Sequence, residues 1–120
     1  MRLILVRHGE TEENIKKLIQ GQLQGILTDN GKKQAGELAE RLKHEKIDAI
    51  YTSDSARAYD TAKEVHKHHT NIPLLLDKRL RERYWGALEG RHQSEKYKWP
   101  EGAETDDDLV ERATFLGKFT

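Results

Sequence analysis

Cysteine is absent from the 120 residues, which excludes a disulfide framework, a thiol nucleophile and a cysteine-rich zinc site. An excess of either charge is absent too. The 21 Lys and Arg balance the 21 Asp and Glu, so neither the basic footprint of a nucleic-acid binder nor the basic face of a membrane-surface helix is present. Any anion site must therefore be local. Long apolar runs are also missing. The run near the start is far too short for a signal-peptide core or a membrane span, and a soluble cytoplasmic protein is expected. The chain has no internal repeat and no low-complexity tract. Its length suits one domain, residues 1–120, able to bury roughly two-thirds of its unfolded surface.

The most informative stretch is LILVRHGET, Leu3 to Thr11. Leu3, Ile4, Leu5 and Val6 show no polar alternation, the pattern of a strand buried on both faces, and Arg7-His8-Gly9 follow at its carboxyl end. Ligands bind at that end of the strands in open α/β sheets. Glu12 to Leu27 has no clear period and carries Gly21 and Gly25, which reads as a functional loop with at most a helical turn. Thr28 caps a helix expected to run to about Lys43, with Ala35, Leu38, Ala39 and Leu42 on one face. Ile47 to Thr52 reads as a second strand. Ser53, Asp54 and Ser55 offer caps for a helix to about His68, with Ala58, Ala62 and Val65 inward. Pro73 opens a third strand, Leu74 to Leu76. Thr105 or Asp106 caps a last helix with Leu109, Ala113 and Leu116 as its stripe. This β-α-β-α-β order implies α/β architecture with a parallel sheet.

His8 is the candidate nucleophile, because a neutral imidazole can attack phosphorus and divide one slow hydrolysis into two easier transfers. Arg7 beside it offers the planar, permanent cation that stabilises a transferring phosphoryl group. Arg57 lies in the first turn of the helix after strand two, where a cation opposes the positive end of the macrodipole. An anion held there by the guanidinium and the free N–H groups resolves that conflict; an ion pair with Asp54 is the alternative. Glu82 is the leading acid-base candidate among Arg81, Arg83 and an aromatic-glycine segment, and Glu89 competes for the role. His66 and His69, one turn apart, suggest a metal, but cations are favoured at a helix C-terminus in any case. Tyr84, Trp85, Tyr97 and Trp99 either line a substrate pocket or pack beneath a loop.

LVRHGET at Leu5 to Thr11, TSDSARAYDTA at Thr52 to Ala62, LRERYWGALEG at Leu80 to Gly90 and PEGAET at Pro100 to Thr105 together resemble the successive motifs of the histidine phosphatase superfamily, also called phosphoglycerate mutase-like. The resemblance implies a three-layer α/β sandwich with a mainly parallel sheet. It implies that His8 becomes phosphorylated, that Arg7 and Arg57 bind phosphate, and that Glu82 donates the proton. Asn14 and the Gly21-Gln22 region match positions bounding the substrate pocket. No metal or cofactor is implied, and the expected partner is a small phosphorylated metabolite. The segment Ala87-Leu88-Glu89-Gly90 is more similar to the phosphatase branches than to the cofactor-dependent phosphoglycerate mutases, which remain the alternative. The family's second histidine, in a later strand-His-Gly motif, has no counterpart here, since His92 follows no apolar strand. A C-terminally incomplete, amino-terminal portion of a longer protein is therefore expected. So is weak catalysis or mere phosphate binding, in an oligomer or a marginally stable monomer.

Overall fold

Residues 1–95 and 102–114 are described by a computed structural model; the expected roles of Tyr97, Trp99 and Leu116 lie outside the described residues. Thr11 opens α1 (Glu12–Ile15) through a capping box. Its hydroxyl accepts from the Asn14 N–H at 3.1 Å, while Asn14 Oδ1 accepts from the Thr11 N–H at 3.0 Å. Thr28 caps α2 (Asp29–Leu42) by accepting from the Gly31 N–H at 2.9 Å, an interaction worth about 1 kcal/mol. Ala35 and Ala39 are buried and Leu38 and Leu42 half-buried, as their spacing requires.

The expected second strand shortens to β1 (Ile50–Thr52), which pairs in parallel with β2 (Leu74–Leu76), Ile50 opposite Leu74 and Thr52 opposite Leu76. Helix α3 (Ala56–His66) connects them and packs on α2. Its inward face differs from expectation by one position: Arg57, Thr61 and Val65 are buried, whereas Ala58 and Ala62 are only half-buried. The cause is hydrogen bonding. Thr61 Oγ1 donates to the Arg57 carbonyl at 2.8 Å and accepts from the Gly9 N–H at 3.1 Å, so a polar residue is buried with partners and an apolar-only pattern overlooks it.

A larger correction concerns Leu3 to Val6. These residues form no strand and lie exposed, Leu5 by 83%. A run buried on both faces needs neighbouring strands and covering layers, and among the described residues the sheet consists of β1 and β2 alone. The next residues are firmly held nonetheless. A Cβ on Gly31 would lie 2.0 Å from the Glu10 carbonyl oxygen, and one on Gly9 would lie 2.4 Å from the Gly31 oxygen. Two glycines thus let the backbone after His8 lie directly on the first turn of α2.

The segment expected as a loop is ordered by backbone bonds to distant parts of the same chain. Thr11 and Leu27 form an antiparallel bridge, as do Leu18 and His92. The Ile19 N–H donates to the Arg91 carbonyl and the Gly90 N–H to the Ile19 carbonyl, both at 2.8 Å. The last helix, α4 (Asp106–Ala113), starts with a capping box between Thr105 and Asp108 and buries no residue. Among the described residues no helix is long and apolar enough to cross a membrane.

Candidate active site

Arg7, His8, Asn14, Gln20, Glu82 and Gln93 line one polar cavity of about 140 Å³. A wider cleft, also lined by Arg7, His8, Asn14 and Gln93, adds Glu10, Lys17 and Gln34. His8 is half-buried, and its Nδ1 lies 2.7 Å from the Gly9 carbonyl oxygen. A carbonyl oxygen can only accept, so Nδ1 carries the proton and Nε2 keeps the lone pair in the neutral ring. Burial pushes the imidazole pKa below its ordinary value. The positive charges of Arg57 and Arg7 act in the same direction, opposed by the Gly9 hydrogen bond and the charge of Glu82.

Arg57 is 3% exposed. Its guanidinium donates to the Leu23 carbonyl, to the Gly21 carbonyl at 2.7 Å and to Glu82 Oε2 at 3.1 Å. Glu82 therefore connects the buried cation to the cavity. The alternative pairing with Asp54 belongs to Arg81, which binds that carboxylate through two nitrogens at 2.7 and 2.6 Å and holds its pKa down. At the start of α3, where an anion was expected, two of the backbone donors have partners within the chain. Gln24 takes both: the Ala56 N–H bonds to Gln24 Oε1 at 2.9 Å and the Arg57 N–H to the Gln24 carbonyl at 3.1 Å.

Geometry also separates the two glutamates. Glu89 Oε2 accepts from the Gln22 and Trp85 N–H groups, both at 2.9 Å, so it fastens two loops while Glu82 faces the cavity. Gly21 and Gln22 stand behind the cavity wall. Gly21 has φ of +51° and a Cβ there would strike the Glu89 carboxylate, and the Gln22 amide donates to the Glu82 carbonyl at 3.3 Å. His66 and His69 each bond to a backbone carbonyl, of Ile72 and Leu42 respectively. Among the described residues no cluster of metal-ligating side chains occurs. Arg83 stacks its guanidinium over Trp85, and Tyr84 is exposed.

Sequence reasoning missed Gln20 and Gln93. Gln20 is buried and accepts from Thr11 Oγ1 at 2.9 Å, and the Gln93 N–H donates to the Lys17 carbonyl at 2.8 Å. Neither lies in a pattern that announces a cavity wall. Only the pairing of residues 17–19 with 90–93 brings them there.

The profile described as histidine phosphatase superfamily (branch 1) matches residues 3–114. Phosphoglycerate mutase-like protein 4 of Arabidopsis thaliana is 37% identical, over 93% of this chain and 56% of its own length. A broad-specificity phosphatase of Saccharomyces cerevisiae is 38% identical, over 95% of this chain and 55% of its own. Among solved structures, YhfR of Bacillus stearothermophilus superposes with a TM-score of 0.83 at 33% identity, covering 94% of this chain and 63% of that one. A mycobacterial glucosyl-3-phosphoglycerate phosphatase in complex with VO3 superposes with a TM-score of 0.82 at 30% identity, covering 93% and 63%. The chain spans about half the length of the curated relatives it matches. Near-complete coverage by the family profile, and an α/β parallel-sheet fold shared with these structures, establish that the chain belongs to the histidine phosphatase superfamily.

Proposed function

We propose that the cavity around His8 receives the phosphoryl group of a small phosphorylated metabolite, and that the protein hydrolyses phosphate monoesters through a phosphohistidine. One observation carries the reading: His8 Nδ1 is committed to the Gly9 carbonyl, so the Nε2 lone pair is free in a cavity lined by a cation and a carboxyl group. In the first step Nε2 bonds to phosphorus and the bond to the leaving oxygen breaks, with Glu82 giving that oxygen its proton. In the second, the Glu82 carboxylate takes a proton from water, the water oxygen bonds to phosphorus, and the phosphorus-nitrogen bond breaks. Arg7, which lines the same cavity as His8, offers its guanidinium to the charge that develops on the equatorial oxygens. Arg57 orients Glu82 from behind, Asn14 lines the wall beside His8, and Gly21 and Gln22 brace Arg57 and Glu82. The chemistry calls on no metal or cofactor, and a cytoplasmic location suits such a substrate.

Relatives named as a broad-specificity phosphatase and a metal-independent phosphoserine phosphatase support hydrolysis. Relatives named as probable phosphoglycerate mutases keep open transfer to a second hydroxyl instead of to water. The test is brief reaction with an isotopically labelled aryl phosphate. Acid-labile, base-stable label on His8, lost in His8→Ala, is expected. Label on Ser, Thr or Asp, or no label, would sink the proposal.

A further inference from the structure

Glu82 lies in a segment, residues 81–85, that has no regular secondary structure, so something other than a ladder must fix its backbone. Arg112 of α4 meets that need. Its Nη1 donates to the carbonyls of Arg79 at 2.9 Å and Arg81 at 2.6 Å, and its Nη2 donates to the Glu82 carbonyl at 3.1 Å. The remaining donors grip Glu104, Nε to Oε2 and Nη2 to Oε1, both at 2.8 Å. All the N–H groups of the guanidinium are thereby taken. Glu104 completes the clamp from the other side. Its Oε1 also accepts from the Tyr84 N–H at 2.7 Å and from the Gln22 amide at 3.3 Å, and its own N–H donates to the Tyr84 carbonyl at 2.8 Å.

We infer that the Arg112–Glu104 pair is the positioning device of the proton donor, holding the Glu82 backbone so that its carboxyl stands between Arg57 and the cavity. The inference rests on the reading of Glu82 as acid. Two features distinguish it from a general staple. No residue of α4 is fully buried, Leu109 and Ala113 being half-buried, so the Arg112 hydrogen bonds give its attachment here a direction that this modest apolar contact does not. The carbonyls it grips include those of Glu82 itself and the residue before it, while Arg112 and Glu104 do not line the cavity. Neither can touch the phosphoryl group, and their effect must pass through Glu82.

A displaced acid harms only reactions that need a proton at the leaving oxygen. In single-turnover labelling of His8 in the 120-residue chain, Arg112→Met should slow transfer from an alkyl phosphate about 100-fold, the cost of a misplacement near 1 Å. Transfer from a good aryl leaving group should stay near the wild-type rate. Arg112→Lys should recover part of the alkyl rate, and Arg112→Met should add nothing on a Glu82→Gln background, because the two changes act on one proton. Glu104→Gln, which puts an amide donor in place of one carboxylate oxygen and so breaks one side of the Arg112 grip, should slow alkyl transfer selectively too and serves if Arg112→Met fails to fold by circular dichroism. Equal slowing of aryl and alkyl donors, unchanged alkyl transfer, or full additivity with Glu82→Gln overturns the inference and leaves His8 as nucleophile. Failure of the unaltered chain to take label at His8 removes the underlying reading, and the inference with it.

Discussion

The Arg57 guanidinium lies 3.1 Å from Glu82 Oε2, yet the two side chains differ sharply in exposure, 3% for the arginine and 47% for the glutamate. The cation is an internal part and the carboxylate a half-open one. Removing either should therefore have unequal effects on stability. Glu82→Gln leaves Arg57 bonded to the Gly21 and Leu23 carbonyls and should cost under about 1 kcal/mol, since solvent screens the exposed partner. Arg57→Met strands those carbonyls and should cost about 3 kcal/mol. Urea unfolding of both variants measures the asymmetry; equal losses would contradict it.

His8 should titrate below its ordinary value of 6.5, chiefly because burial disfavours the charged ring. Arg7→Gln removes a positive neighbour and should raise the pKa, whereas Glu82→Gln removes a negative one and should lower it further. Imidazole proton NMR across pH reads both directions. The sign for stability follows. Between the lowered folded value and about 6.5 the unfolded chain holds more protons, so stability rises with pH across that window and is lost as pH falls through it. His8→Gln should flatten that part of the profile.

Helix α2 contains two glycines with opposite consequences. A methyl added at Gly36 would meet nothing within 4 Å, whereas one added at Gly31 would lie 2.0 Å from the Glu10 carbonyl oxygen. Gly36→Ala should stabilise by about 0.5 to 1 kcal/mol through helix propensity and a less disordered unfolded chain. Gly31→Ala should destabilise by about 2 kcal/mol or more, because backbone cannot yield as a side-chain tip does. Thermal melts of the two variants check the contrast.

Leu3, Leu5 and Val6 stand exposed outside any strand, and contiguous exposed apolar side chains recruit other chains. The 120-residue chain should self-associate at raised concentration, and Leu5→Lys should shift it towards monomer. Sedimentation velocity decides, and a monomer unchanged by dilution or by the substitution would count against it.

What could be read in advance was local. Thr28 with Ala35 and Ala39 specified α2 because cap and stripe lie within one helix, and the Leu74 to Leu76 run specified β2 by itself. Arg7, His8 and Glu82 were singled out by residue type and position, and the structure brings the three to one cavity. The failures were relational. Leu3 to Val6 have the composition of a buried strand, but burial belongs to neighbours that composition cannot supply. The α3 face shifted because Arg57 and Thr61 are buried through partners contributed by other segments. Gln24, which occupies the first N–H groups of α3, lies 32 residues before Ala56 and gives no local signal of that contact.

That arrangement around Arg57 determines how residues 21–25 behave in time. A glycine-bearing surface loop is ordinarily the first place a protease cuts, but here the chain is wound about a cation. Gly21 and Leu23 accept from the guanidinium, the Gln24 carbonyl accepts from the Arg57 N–H, and Gly25 leaves only enough room for the arginine stem, 2.9 Å from where a Cβ would sit. Peeling the loop away would expose a desolvated charge and unfasten the start of α3 together. Its amides should consequently exchange with solvent only when α3 opens, and its peptide bonds should resist digestion for as long as the helix stands. Residues 21–25 line neither the cavity nor the cleft, so they serve His8 from behind, as a fixed footing for Arg57 and Glu82.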